Sequence, residues 1–241
     1  MALALVSIAA FAILIGLGTW QLQRLAWKEG LIEAATQRPL ATPVPAPGPE
    51  AWPTFDIEEW NYRRVLLTGT FGEDEAHTWI VLSDPKGPLS GPGYFVVAPF
   101  TTSEGWSVLV NRGFVPEDQK AQSARAGSAP PSGEVTIEGL IRRDDTPSFI
   151  TPAPNERTNT WFSRHISGMA PYLGLKRALT APYTVDLTAE ATPASGVPQA
   201  GESKLTFSNN HLQYALTWYG LAAALVGVFA VSLWPWRREK S

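Results

Sequence analysis

Two long apolar runs mark the ends of this chain, and a short-period alternation of apolar and polar residues fills the middle. Residues 2–20 carry no charged side chain, and the first charge is Arg24. That length is close to the roughly 20 residues that cross about 30 Å of hydrocarbon as an α-helix. The second run, 212–234, ends at Pro235 and lies within a charge-free stretch from Leu205 to Trp236. Both runs are expected to be transmembrane helices. Between them, residues 64–71, 78–82, 94–100, 106–111, 135–141 and 183–187 are rich in Val, Ile, Leu and aromatics and are bounded by Gly, Pro and Asp, which is the pattern of strands. Gly105 lies in the hairpin connection between the third and fourth runs. Residues 163–173 are the best helical candidate of this middle region, and 27–36 continue the first helix. Six prolines between 39 and 53 preclude helix and central strand and predict an extended connector. Residues 127–133 and 193–201 read as surface loops. The expected fold is a membrane protein in which two transmembrane α-helices flank a β-rich (α+β) extramembrane domain, a small antiparallel barrel or sandwich. The boundaries read as 1–22, 23–208, 209–235 and a basic tail at 236–241.

A secretory signal peptide competes with an anchor for the first run. It fits poorly, because the run is long for such a segment, lacks a basic leader and is not followed by a small-x-small cleavage site. Trp20 and Trp27 instead bracket Arg24 on one face, as interfacial residues do. The tail Trp236-Arg237-Arg238-Glu239-Lys240 places the carboxyl terminus in the cytoplasm by the positive-inside rule. Two spans then put the amino terminus on the same side and the central domain outside. Arg24 and Lys28 run against this, and a start site upstream of Met1 would account for them. The start at the membrane helix points to a bacterial protein of the cell inner membrane, with the central domain periplasmic.

Composition excludes several chemistries. The formal net charge of −3 gives no reason to expect nucleic-acid binding. With no cysteine there is no disulfide framework, thiolate zinc site or thiol nucleophile. No Gly-x-Ser-x-Gly elbow, Walker loop, dinucleotide fingerprint or His-Glu-x-x-His helix occurs, so an enzyme is not expected. The acidic runs Glu73-Asp74-Glu75 and Asp144-Asp145 read as solvated turns.

Of three histidines, His211 stands apart by position. Ser208, Asn209 and Asn210 offer N-caps for the second membrane helix, so His211 falls in its first turn, where an ionisable residue is a functional hypothesis. Tyr214, Ala215 and Trp218 follow at i+3, i+4 and i+7 on the same face. The stripe is either an interfacial aromatic belt or an imidazole ligand above an aromatic wall, suited to a flat iron-containing cofactor. Tyr62-Arg63-Arg64 and Val110-Asn111-Arg112-Gly113 are a second candidate pair, either clamping a partner's carboxylates or forming a turn in which Arg112 pairs internally.

Several pieces in order carry a resemblance to a known family. They are Gly18-Thr19-Trp20-Gln21, Arg24 and Trp27-Lys28; Arg38-Pro39; Tyr62-Arg63-Arg64-Val65 leading to Gly69 and Phe71; Gly93-Tyr94 and Pro99-Phe100; Val110-Asn111-Arg112-Gly113-Phe114-Val115-Pro116; Asn155, Asn159 and Trp161-Phe162; and Asn210-His211-Leu212, Tyr214-Ala215, Thr217-Trp218 and Leu221-Ala222. Together they resemble the Surfeit-locus-protein-one (Surf/Shy) family of cytochrome c oxidase assembly factors. The chain departs from the family at Arg164-His165, where members tend to carry an acid.

The resemblance implies a haem A-binding chaperone that assists cofactor insertion into oxidase subunit I. It implies His211 and Trp218 as haem contacts, with His211 a candidate axial ligand of the haem iron; Tyr214, by helical spacing, and Gln21 and Arg24, by our own inference, are expected close by. The partners implied are cytochrome c oxidase subunit I, the lipid bilayer and, as a further candidate, haem A synthase. The alternative is a membrane scaffold that stabilises an oxidase assembly intermediate without binding haem, through Tyr62, Arg63, Asn111 and Arg112.

Overall fold

A computed structural model describes residues 2–145, 147–203 and 209–233. The chain divides into two compact units, one built from its two ends and one from residues 35–204. The first unit holds the long helices α1 (Ala2–Gln37) and α4 (His211–Leu233). Both are long and apolar enough to cross a membrane. Pro235 and the basic tail lie outside the described residues.

The second unit begins with a two-residue strand, β1 (Val44–Pro45), and a one-turn helix, α2 (Ile57–Trp60). Strands β2 (Arg64–Phe71), β3 (Ala76–Leu82), β4 (Gly91–Thr102), β5 (Ser107–Pro116) and β6 (Val135–Arg142) follow. Helix α3 (Ile166–Tyr172) and strand β7 (Thr180–Leu187) complete it. All six predicted strands and the predicted helix are present.

The ladder runs β2-β6-β7-β5-β4, and β2 pairs again with β4, so five strands close into a barrel. Four of these contacts are antiparallel and one, β5 with β7, is parallel. The antiparallel expectation fails at that pair for a topological reason: a ring with an odd number of strands cannot alternate direction throughout. Closure also needs a glycine. A Cβ at Gly69 would strike the backbone of Thr101 and Thr102, where β4 returns to β2.

β5 explains how the core is divided. Val108 and Val110 point into the barrel beside Val65, Phe100, Ile141 and Tyr183. Leu109 points outward, into a second cluster made by Ala76, Val97, Trp161 and the α3 residues Met169 and Ala170. With both faces covered, the strand reads as a continuous apolar run. The predicted hairpin between β4 and β5 turns at Gly105, whose φ of +89° suits a residue without a Cβ.

Two expectations for irregular segments need correction. The proline-dense connector is extended, yet it is tied to the barrel. The Pro47 carbonyl accepts from Tyr183 Oη at 2.6 Å and Trp52 Nε1 at 2.9 Å. Residues 193–201 are not simply a surface loop, since Val197 to Ala200 are buried. Gln199 and Phe114 exchange two backbone hydrogen bonds of 2.8 Å, and the Gln199 side chain bonds Leu89 through both its nitrogen and its oxygen. The polar residues that suggested solvent exposure are satisfied inside.

Candidate functional site

α1 and α4 are apolar nearly all round, so residue size distinguishes their faces. Buried and half-buried positions of α4 recur three or four residues apart at His211, Ala215, Trp218, Ala222, Leu225 and Phe229, with Tyr219 beside Trp218. α1 has the same rhythm at Leu14, Gly18, Gln21 and Leu25. Small residues let the helices approach. Ala215 and Ala222 are each 1 % exposed, and a Cβ on Gly18 would come within 2.7 Å of the Tyr219 ring. Thr19 Oγ1 donates to the Ile15 carbonyl at 2.9 Å and lies 3.1 Å from Tyr219 Oη.

At the head of this seam the two helices share a further polar contact. His211 Nδ1 is 2.7 Å from Gln21 Oε1. The Asn209 side chain accepts from the His211 amide at 3.4 Å, in line with the expected cap, whereas Ser208 lies outside the described residues. Among the described residues the other ring nitrogen, Nε2, has no hydrogen-bond partner. Trp218 follows two turns along the same stripe and is half-buried.

The remaining residues expected at this site lie off the seam. Tyr214 is 54 % exposed, because i+3 from His211 falls on the flank of a stripe that continues through i+4 and i+7. Arg24 is exposed, with its guanidinium 4.5 Å from the Trp27 ring centroid. Imidazole, a flat indole and an apolar wall are a donor set that suits haem.

The second candidate pair lies in the barrel unit and is mostly engaged internally. Asn111 is buried, donates to Asp186 Oδ1 at 3.1 Å and accepts from the Gly113 amide at 3.0 Å. Arg112 donates to the Ser128 carbonyl at 2.7 Å and is 3.3 Å from Glu75. Tyr62 is buried at a φ of +70°, with its amide bonded to the Ile141 carbonyl and Arg142 stacked on its ring at 4.5 Å. Only Arg63 of the four is exposed, resting 5.0 Å from the Trp60 ring centroid.

Two acid-centred networks escape sequence reasoning. Glu75 is buried between Arg125 at 2.5 Å, Arg112 at 3.3 Å and His77 at 3.3 Å. Asp186 receives Arg164 at 3.1 Å, Asn111, and Ser203 at 2.6 Å, with Arg142 at 3.7 Å. Burial alone would raise both carboxyls. The facing cations and hydrogen bonds outweigh it and hold each below the usual carboxylate range. Glu75 is therefore no solvated turn residue. Asp144 is half-buried and accepts from the Ile166 amide, whereas Asp145 is exposed, as expected, and accepts from the Arg164 amide. Arg164, where the chain departs from the family pattern, is the guanidinium that neutralises Asp186.

Comparisons with known proteins agree with the residue pattern. The profile of the SURF1 family matches residues 8–223. Surfeit locus protein 1 of Homo sapiens is 35% identical over 234 residues, covering 92% of this chain and 73% of the human protein. A SURF1-like protein of Monosiga brevicollis is 32% identical over 236 residues, covering 93% and 83%. A SURF1-like protein of Drosophila melanogaster is 30% identical over 222 residues, covering 87% and 70%. A match across the first membrane helix, the barrel and most of the second helix is a match to the whole architecture, and the chain belongs to the SURF1 family.

Proposed function

We propose that this protein is a non-enzymatic assembly factor for haem A-containing cytochrome c oxidase, and that it carries haem A as cargo for insertion into subunit I. One observation weighs most. Where the family resemblance implies a haem contact, His211 stands at the head of the helix seam, with Nδ1 beside Gln21 Oε1 and Nε2 without a partner among the described residues. When bound, haem A supplies an iron open to an axial ligand and a farnesyl tail that partitions into lipid. His211 Nε2 is the ligand offered, and Trp218 is the flat wall beside it. Tyr214 and Arg24, on exposed faces, are suited to the periphery of the cargo, with Arg24 a counter-ion for a propionate. A single imidazole ligand leaves the site able to release what it holds.

The barrel is read as periplasmic and both termini as cytoplasmic, on the positive-inside argument from Arg237, Arg238 and Lys240. The bilayer of the bacterial inner membrane is the first partner, subunit I the second and haem A synthase a candidate donor. The scaffold alternative is weakened because Tyr62, Asn111 and Arg112 spend their polar groups within the barrel, leaving Arg63 as the outward member of that set. The test is complementation. In cells deleted for this chain, His211→Ala should assemble oxidase with less haem than the wild type restores, at equal membrane abundance. Full haem occupancy with His211→Ala would remove the ligand assignment.

A further inference from the structure

Gln21 sits in the seam among leucines, glycine and alanines, where an unpaired amide would be costly. Its oxygen lies 2.7 Å from His211 Nδ1, which is 190 residues distant in sequence. A carbonyl oxygen can only accept, and a neutral imidazole carries one N–H. The bond therefore places the ring proton on Nδ1 and the free lone pair on Nε2. Histidines that ligate metals show the same arrangement, the far nitrogen donating to an oxygen that fixes both tautomer and ring orientation.

We propose that Gln21 is the positioning residue of the site: it holds His211 in the Nδ1–H tautomer before any ligand arrives, so that Nε2 is presented as a ready donor. The proposal rests on the haem-cargo reading for its consequence, though the tautomer itself does not. The identity of the acceptor adds a second point. A carboxylate at this position would pull the Nδ1 proton harder and make Nε2 a stronger donor to oxidised iron. A neutral amide orients the ring without that strengthening, which suits a protein that must give its ligand up. Gln21 is thus assigned a role in how tightly the cargo is held as well as where.

The test separates the two levels. The full chain, labelled with 15N-histidine and purified in detergent from cells that make no haem A, carries three histidines, and His211→Ala identifies the relevant signal. At mildly alkaline pH, the His211 shifts should report a protonated Nδ1 and a bare Nε2. Gln21→Leu should return the ring to a mixture of tautomers, and Gln21→Glu, which keeps the acceptor, should retain the Nδ1–H form. A wild-type ring protonated on Nε2, as an amide turned the other way would dictate, overturns the proposal, as does a tautomer unchanged by Gln21→Leu.

Haem titration of the same samples then reads the consequence. Gln21→Leu should weaken binding about 10- to 100-fold, the range found when outer-shell partners are lost. Gln21→Glu should tighten it and lower the reduction potential of the bound haem. If His211→Ala binds haem like the wild type, the ligand assignment fails while the tautomer result and haem carriage stand. If His211→Ala abolishes binding and Gln21→Leu leaves it unchanged, the positioning role fails alone.

Discussion

The barrel and the helix pair treat buried polarity in opposite ways. In the barrel, Glu75 and Asp186 are each ringed by cations and hydrogen-bond donors, and Asn111, Arg112, Arg142 and Arg164 are drawn inward to serve them. The helix pair has few polar contacts, Thr19 with Tyr219 and, at its head, His211 with Gln21, and among the described residues the latter occupies one ring nitrogen and leaves the other. Abundant ionisable residues therefore do not mark the site here. Groups whose bonding capacity is consumed hold a fold together, and a group with capacity left over can meet a ligand.

The contrast can be broken from the barrel side with the largest expected effect. Glu75→Ala leaves Arg112 and Arg125 buried without their shared carboxylate, which should cost about 3–5 kcal/mol, read as a lowered denaturant midpoint of the barrel. The same acids set a pH dependence. Their folded-state carboxyls titrate below the unfolded values, so the stability they contribute is complete above the ordinary carboxylate range of about 4 and is lost as pH falls through the lowered values. Asp144, raised by burial, opposes this weakly. A wild-type barrel whose midpoint holds steady on acidification would contradict the account of Glu75 and Asp186.

The next largest effect belongs to the helix pair. Gly18→Leu drives a side chain into the space of the Tyr219 ring and should destabilise the seam by about 1–3 kcal/mol. It should also weaken the His211–Gln21 contact while leaving the barrel's denaturant midpoint in place. Disulfide trapping between cysteines introduced along the seam measures the first effect. The smallest expected effect is at the Arg64–Glu138 pair on the barrel surface, with both side chains about a third exposed. Glu138→Gln should change stability by no more than about 1 kcal/mol. A loss comparable to that of Glu75→Ala would show that exposure does not divide the two kinds of ion pair.

Much of the architecture was legible because it follows local periodicity. The two spans, the six strands and α3 each announce themselves in a window of a few residues. Relations between distant elements were not. The parallel β5–β7 contact follows from closing an odd number of strands, and nothing within either strand signals it. Glu75 looked solvated because its neighbours Glu73 and Asp74 are acidic, while its partners Arg112 and Arg125 come from other parts of the chain. At the site, His211, Trp218 and Gln21 were each named from helical spacing and family resemblance, and the structure places them on the inward stripes. Tyr214 and Arg24 were named as well but lie on exposed faces, since i+3 spacing alone does not distinguish the centre of a stripe from its flank. The pairing of Gln21 with His211 could be seen only once the two ends of the chain were brought together.

The most direct test of the central claim is the visible absorption spectrum, with and without dithionite, of the full chain purified in detergent from cells that make haem A. The account predicts a reducible haem A band in the wild type that is absent from His211→Ala at equal yield. A band of undiminished strength in His211→Ala, or a colourless wild type that still copurifies with oxidase subunit I, would contradict it.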